Sequence, residues 1–157
     1  MIVREVWIYL DAILLWGFVA TTILTTVLYG SQGAGLSRLS LPFLFGTFFT
    51  GDRYHANVIG FIAYIIGGWL FAFIYFAIFA ALDMATWWLG AVMGAIHSSF
   101  LLMVFLPVLP YFHPRMATEY DGPTSYRRLE PPGFMALNYG RRTPLTTFVG
   151  HTAYGWV

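Results

Sequence analysis

The chain has 157 residues, of which 59% are hydrophobic, 20% aromatic and only 10% charged, whereas an ordinary soluble domain carries roughly 25% charged residues. Such a chain cannot cover a water-facing surface with polar groups, but it can cover one that faces lipid. Its net charge of +1 leaves no basic footprint for nucleic acid, and the absence of cysteine excludes disulfides, thiolate metal sites and thiol nucleophiles.

The first element is "VWIYLDAILLWGFVATTILTTVLY", about 6–29. It is about twice as long as a signal-peptide core and no A-x-A-like cleavage site follows, so it reads as a retained membrane span. Asp11 is the only carboxylate well inside a span. It is expected to face water or a partner near the outer interface; a proton or cation site is the alternative. The next stretch, 31–56, is partly apolar, and "LPFLFGTFF" predicts a short amphipathic or re-entrant piece in the interface. A second span follows at about 58–82, interrupted by Gly67 and Gly68, which mark a close approach or a kink. The short turn "LDMAT" then makes a tight antiparallel hairpin with a third span, about 87–109. Each span must be helical, because an unpaired backbone group in lipid costs several kcal/mol and only helices or closed barrels avoid it.

The segment from about 112 to 143 is rich in Pro and Gly turns but also carries Phe, Met, Leu and Tyr. It is too apolar for a disordered linker and is expected to fold back over the helix ends. From Pro144 to Val157, "PLTTFVGHTAYGWV" has the pattern of a helix start. Its 14 residues reach only about 21 Å, which predicts the beginning of a fourth span rather than a whole one. The expected fold is therefore an all-α polytopic bundle in a single domain, with three full spans and part of a fourth. Arginines set the orientation. Arg4 alone precedes the first span, while Arg38, Arg53, Arg115, Arg127, Arg128, Arg141 and Arg142 fall in the two long loops. The loops are expected in the cytoplasm, with the N-terminus outside.

One titratable ring stands in the middle of a span: His97, in "GAVMGAIHSSFLLM". Gly90, Gly94 and Ser98 form a small-xxx-small stripe on which another helix can approach closely, and His97, seven residues from Gly90, shares that face. The simplest role for His97 is a hydrogen bond to a neighbouring helix, for instance to Thr21, Thr22, Thr25 or Thr26 of the first span. The sharper one is a ligand to haem or a chlorophyll-type pigment, or a quinone or proton-relay site. His151 is the one other histidine inside a predicted span. Counted from the helix ends it lies roughly 10 Å deep, against roughly 19 Å for His97, which argues against the two sharing a ligand. His55, His113, Asp52 and Glu119 flank helix ends on one side, but their spacing matches no dense metal motif. Arg115 and Glu119 can pair if 115–119 forms a helical turn.

The succession "GFVATTILTTVLYG", "LPFLFGTFF", "GWLFAFIYFAIF", "WWLGAVMGAIHSSF", "HPRM", "EPPGFMALNYGRRTPL" and "GHTAYG" resembles a family of small bacterial four-helix integral membrane proteins with no assigned activity. The resemblance spans nearly the whole chain. It implies a bacterial inner-membrane protein whose last segment continues as a full span, and it implies no chemistry. Broad apolar faces, without a nucleophile constellation or a phosphate loop, point to an accessory subunit of a larger membrane assembly, embedded in lipid beside other membrane subunits. The alternative is a tetrapyrrole- or quinone-binding protein that uses His97.

Overall fold

The computed structural model describes residues 6–118 and 120–157. All the regular secondary structure among those residues is helical, with no strand and one isolated bridge, between Met116 and Leu129. Three helices are long and apolar enough to cross a membrane: α1 (Leu10–Gly33), α3 (Arg53–Leu82) and α4 (Trp87–Phe112). A short helix, α2 (Leu41–Gly46), lies between the first two, and a 14-residue helix, α5 (Thr143–Trp156), closes the chain.

Local chemistry explains the bounds. α3 begins five residues before the apolar run, because the Asp52 side chain accepts a hydrogen bond from the His55 N–H and caps the helix. It ends at Asp83, whose left-handed backbone stops it at the hairpin turn. α2 is capped by Ser40, with Pro42 in its first turn. α4 passes through a π-helical stretch at Leu101–Phe105, where the Leu106 N–H reaches back five residues to the Leu101 carbonyl. Pro107 follows with no N–H to donate, so the regular ladder cannot continue there, and the wider turn absorbs the mismatch.

Glycine contacts set the packing. A Cβ on Gly46 would overlap the Ala56 carbonyl and one on Gly60 the Pro42 carbonyl, so α2 lies with its backbone against the start of α3. The short helical piece expected from "LPFLFGTFF" is thus present, packed on the start of α3. α5 is the centre of the bundle. Gly90 and Gly155 touch backbone to backbone across α4 and α5, Gly94 lies under the His151 carbonyl, and Gly150 receives Leu24 of α1. Tyr154 donates to the Gly68 carbonyl of α3 at 2.6 Å, and Trp69 donates to the Leu14 carbonyl of α1 at 2.9 Å. α3 contributes little buried surface and turns most of its apolar residues outward, as a lipid-facing helix must.

The long segment after α4 is ordered against the bundle. His113 is buried, with Nδ1 accepting from the Arg115 N–H and Nε2 3.2 Å from both Thr47 Oγ1 and the Leu44 carbonyl. Burial, reinforced by the nearby Arg115 charge, holds this imidazole below the usual histidine range, although its bond to the Leu44 carbonyl opposes that. The Arg115 guanidinium donates to the Thr47 and Phe48 carbonyls at the end of α2. A 3₁₀ stretch at Phe134–Tyr139 then packs against the C-terminal half of α4. The Arg115–Glu119 pair expected from spacing involves Glu119, which lies outside the described residues.

Candidate functional site

His97 and His151 meet. Their ring centroids are 4.8 Å apart in an edge-to-face arrangement. This corrects the depth argument made from the sequence, which placed them on different levels. Counting depth from helix ends holds only if both helices start at the same level. Instead the segment folded against α4 brings the start of α5 inward: Pro144 and Leu145 lie beside Leu102 and Met103 rather than beside the end of α4. From Met103 to Leu109 is about 9 Å of helix at 1.5 Å per residue, which accounts for the difference in depth.

Each ring is held differently. His151 is almost wholly buried, and its Nδ1–H donates to the Thr147 carbonyl one turn earlier at 2.8 Å. That bond fixes the tautomer and leaves Nε2 with a free lone pair. His97 stacks on Phe71 of α3 at a centroid distance of 3.8 Å and makes no side-chain hydrogen bond among the described residues; its Nδ1 is buried without a partner. The threonines of α1, the expected partners, are spent within their own helix. Thr21, Thr22, Thr25 and Thr26 each donate to the carbonyl four residues back, at 2.6–2.8 Å. Gly90, Gly94 and Ser98 are buried toward α5, and His97 is on the flank of that stripe, between α3 and α5.

Both histidines line one cavity of about 290 Å³, together with Tyr64, Phe71, Phe105 and Tyr154. Its rim includes Leu70 and Phe100, both more than half exposed on the outer surface of the bundle. The cavity therefore opens sideways, on the apolar outer surface of the bundle. His97 is ten residues into α4, about 15 Å from its start, a distance equal to half of a hydrocarbon core about 30 Å thick. The Tyr64 hydroxyl is buried without a hydrogen-bond partner. An apolar wall thus carries two unspent polar side chains, Tyr64 and His97, and the lone pair of His151. The π-helical stretch supplies Leu101 and Phe105 to the same wall, and such stretches recur at functional sites.

The arrangement does not suit a macrocycle clasped between two histidines. Axial imidazoles must stand on opposite faces of the ring system, each about 2 Å from the metal, whereas these two rings touch edge to face with no room between them. The remaining sequence candidates do not join the site. Asp52 and His55 form an exposed pair at 2.7 Å, Asp52 being held below the usual carboxylate range by hydrogen bonds from His55. His113 is spent on the loop contacts described above, and Asp11 is exposed on α1. Among the described residues, no three His, Asp or Glu side chains converge as metal ligands. Sequence reasoning missed the partnership of Tyr64, Phe71 and His151 with His97. The one signal available was the second set of small residues, Gly150 and Gly155, around His151, which mirrors the stripe around His97. No known protein family, curated protein or solved structure matches this chain.

Proposed function

We propose that the protein is a membrane-embedded binding protein for a lipid-soluble ring carrying hydrogen-bonding oxygens, of the quinone class, held beside His97. The observation that carries this reading is the pair of unspent polar side chains, His97 and Tyr64, in an apolar cavity open to lipid at mid-membrane depth. A buried polar group without a partner costs about 1–3 kcal/mol, and a ligand oxygen bonded to either side chain removes that cost. The Phe71 and Phe105 rings give a flat ligand apolar walls, and the lateral opening gives an isoprenoid tail its exit. A bound quinone supplies capacity for electrons and protons; the chain's own part is to position the ring and exclude water.

The cavity lies at the lower end of the range for small-molecule sites, about 300–1,000 Å³. That suits a single substituted ring better than a haem or a chlorophyll-type pigment. A role as accessory subunit of a larger assembly in a bacterial inner membrane is compatible with this reading. The exposed apolar faces serve lipid as well as a neighbouring subunit, so they favour neither. The arginine bias supports a cytoplasmic position for the loops around Arg53 and Arg128.

The test is extraction and rebinding. Protein purified in mild detergent is extracted with organic solvent and assayed chromatographically for quinone, then titrated with a short-tailed benzoquinone. Quinone should be retained, and His97→Leu and Tyr64→Phe should each weaken rebinding about tenfold, the equivalent of one good hydrogen bond. Absence of quinone and of rebinding in the folded protein refutes the proposal. A tetrapyrrole absorption band lost on His97→Gln would refute it in favour of a pigment.

A further inference from the structure

A second pocket stands apart from the histidine cavity, at the ends of two of the long apolar helices. It occupies about 650 Å³ between the end of α1 and the start of α3. Tyr29 and Gln32 come from the last turns of α1, Ser40 from the cap of α2, Arg53 and Asn57 from the first turns of α3, and Arg38 from the intervening loop. We propose that this pocket binds the phosphate of an anionic phospholipid through Arg38 and Arg53.

Three features of the pocket support this occupant. The first is charge. Two arginines line one space, and a guanidinium presents several donors in a fork that matches phosphate oxygens. Arg53 makes no side-chain hydrogen bond or ion pair among the described residues and is exposed. Arg38 is oriented by Glu130 at 3.2 Å and by the Asn138 carbonyl, which together take up part of its donor set. The nearest acid on α3, Asp52, is engaged with the His55 ring and backbone N–H. The second is location: the pocket sits where two spanning helices end, at the level of lipid headgroups, and basic pockets between helix ends are where anionic headgroups bind. The third is what adjoins it. Val58, Phe61 and Ile62 continue from Asn57 down α3 with 45%, 45% and 55% of their surface exposed, offering acyl chains an apolar track that a free phosphate would not need.

The experiment is native mass spectrometry of the full chain in mild detergent, titrated with phosphatidylglycerol, with phosphatidylcholine of the same acyl chains, and with inorganic phosphate. Phosphatidylglycerol should bind in clear preference. Arg38→Gln and Arg53→Gln should each lower that preference about fivefold, equivalent to ~1 kcal/mol per basic residue near an anionic surface. Arg128→Gln, on an exposed loop, should leave it unchanged. Arg53→Gln is the decisive variant, because removing an exposed, unbonded side chain leaves the fold intact, whereas Arg38→Gln also breaks the Glu130 contact. The proposal is overturned by equal binding of the two lipids, by undiminished preference in Arg53→Gln, or by an equal loss in Arg128→Gln, which would indicate net charge only. Displacement of the lipid by millimolar inorganic phosphate would also overturn it and identify a free-anion site.

Discussion

Replacing Gly94 by alanine adds one methyl group to the crossing of α4 and α5, and the structure shows where it would land. The new Cβ would overlap the His151 carbonyl oxygen, with the carbonyl carbon at 2.8 Å and Thr152 Cα at 2.9 Å. All three are backbone atoms, so no side-chain rotation relieves the overlap. Taking the carbonyl carbon alone to the 3.4 Å at which ordinary contact begins requires α5 to move by 0.6 Å. Overpacking a well-packed core costs about 1–3 kcal/mol, and a purely backbone clash belongs at the upper end. Gly30 provides the contrast: nothing lies within 4 Å of its Cβ position, and alanine in an open helical site stabilises by roughly 0.5–1 kcal/mol. In mixed micelles titrated with a denaturing detergent and followed by circular dichroism, Gly94→Ala should unfold earlier than wild type and Gly30→Ala slightly later. Because the clash falls on His151, Gly94→Ala should also weaken quinone rebinding. Equal unfolding of the two variants would refute the close crossing and, with it, the meeting of the two histidines.

Further outcomes follow from single contacts. Tyr154→Phe removes the 2.6 Å bond to the Gly68 carbonyl and should cost about 1 kcal/mol in the same unfolding assay; no loss would mean that α3 and α5 are not joined there. Burial lowers the pKa of His113 in the folded state, so its folded pKa lies below its unfolded one. The stability it contributes is complete above the ordinary histidine value of about 6.5 and falls as the pH drops below it, because the unfolded chain takes up a proton that the folded chain refuses. Wild type should therefore lose more stability than His113→Gln between pH 7 and pH 5, and parallel slopes would refute the buried placement. Cysteines introduced at Ala34 and Ser125, both exposed, should resist an impermeant thiol reagent in intact cells if both loops are cytoplasmic; labelling of both reverses the orientation.

The helices were legible because lipid imposes one rule on all of them: a long apolar run must satisfy its own backbone. Residues 58–82 and 87–109 could be read on that rule alone, and the errors fell at the ends, where caps decide. Asp52 starts α3 five residues early, through a side-chain bond that hydropathy does not register. α1 likewise runs on through Ser31 and Gln32, two polar residues that hydropathy assigns to the loop. The close approach along Gly90 and Gly94 was legible for a related reason. A glycine inside an apolar helix contributes no side chain, and the space it leaves is what a second backbone can fill.

The meeting of His97 with His151 was not legible, because depth in a membrane is not a property of a single helix. Residues in one span can be ranked by counting, but two spans can be compared only once their starting levels are known. Here the start of α5 is set by the segment 113–142, through contacts between residues far apart in sequence. The Arg115 guanidinium binds the Thr47 and Phe48 carbonyls, His113 reaches Leu44 and Thr47, and Ser37 Oγ lies 2.9 Å from Thr143 Oγ1 at the first residue of α5. Each is a polar side chain that a reading by hydropathy assigns to a solvated loop. Together they carry the chain inward before the last helix begins, and that inward start puts the second histidine level with the first. The site thus depends on a loop that contributes none of its lining residues. A change at Ser37, well away from the cavity, removes the contact at the first residue of α5 and should loosen the site without touching either ring.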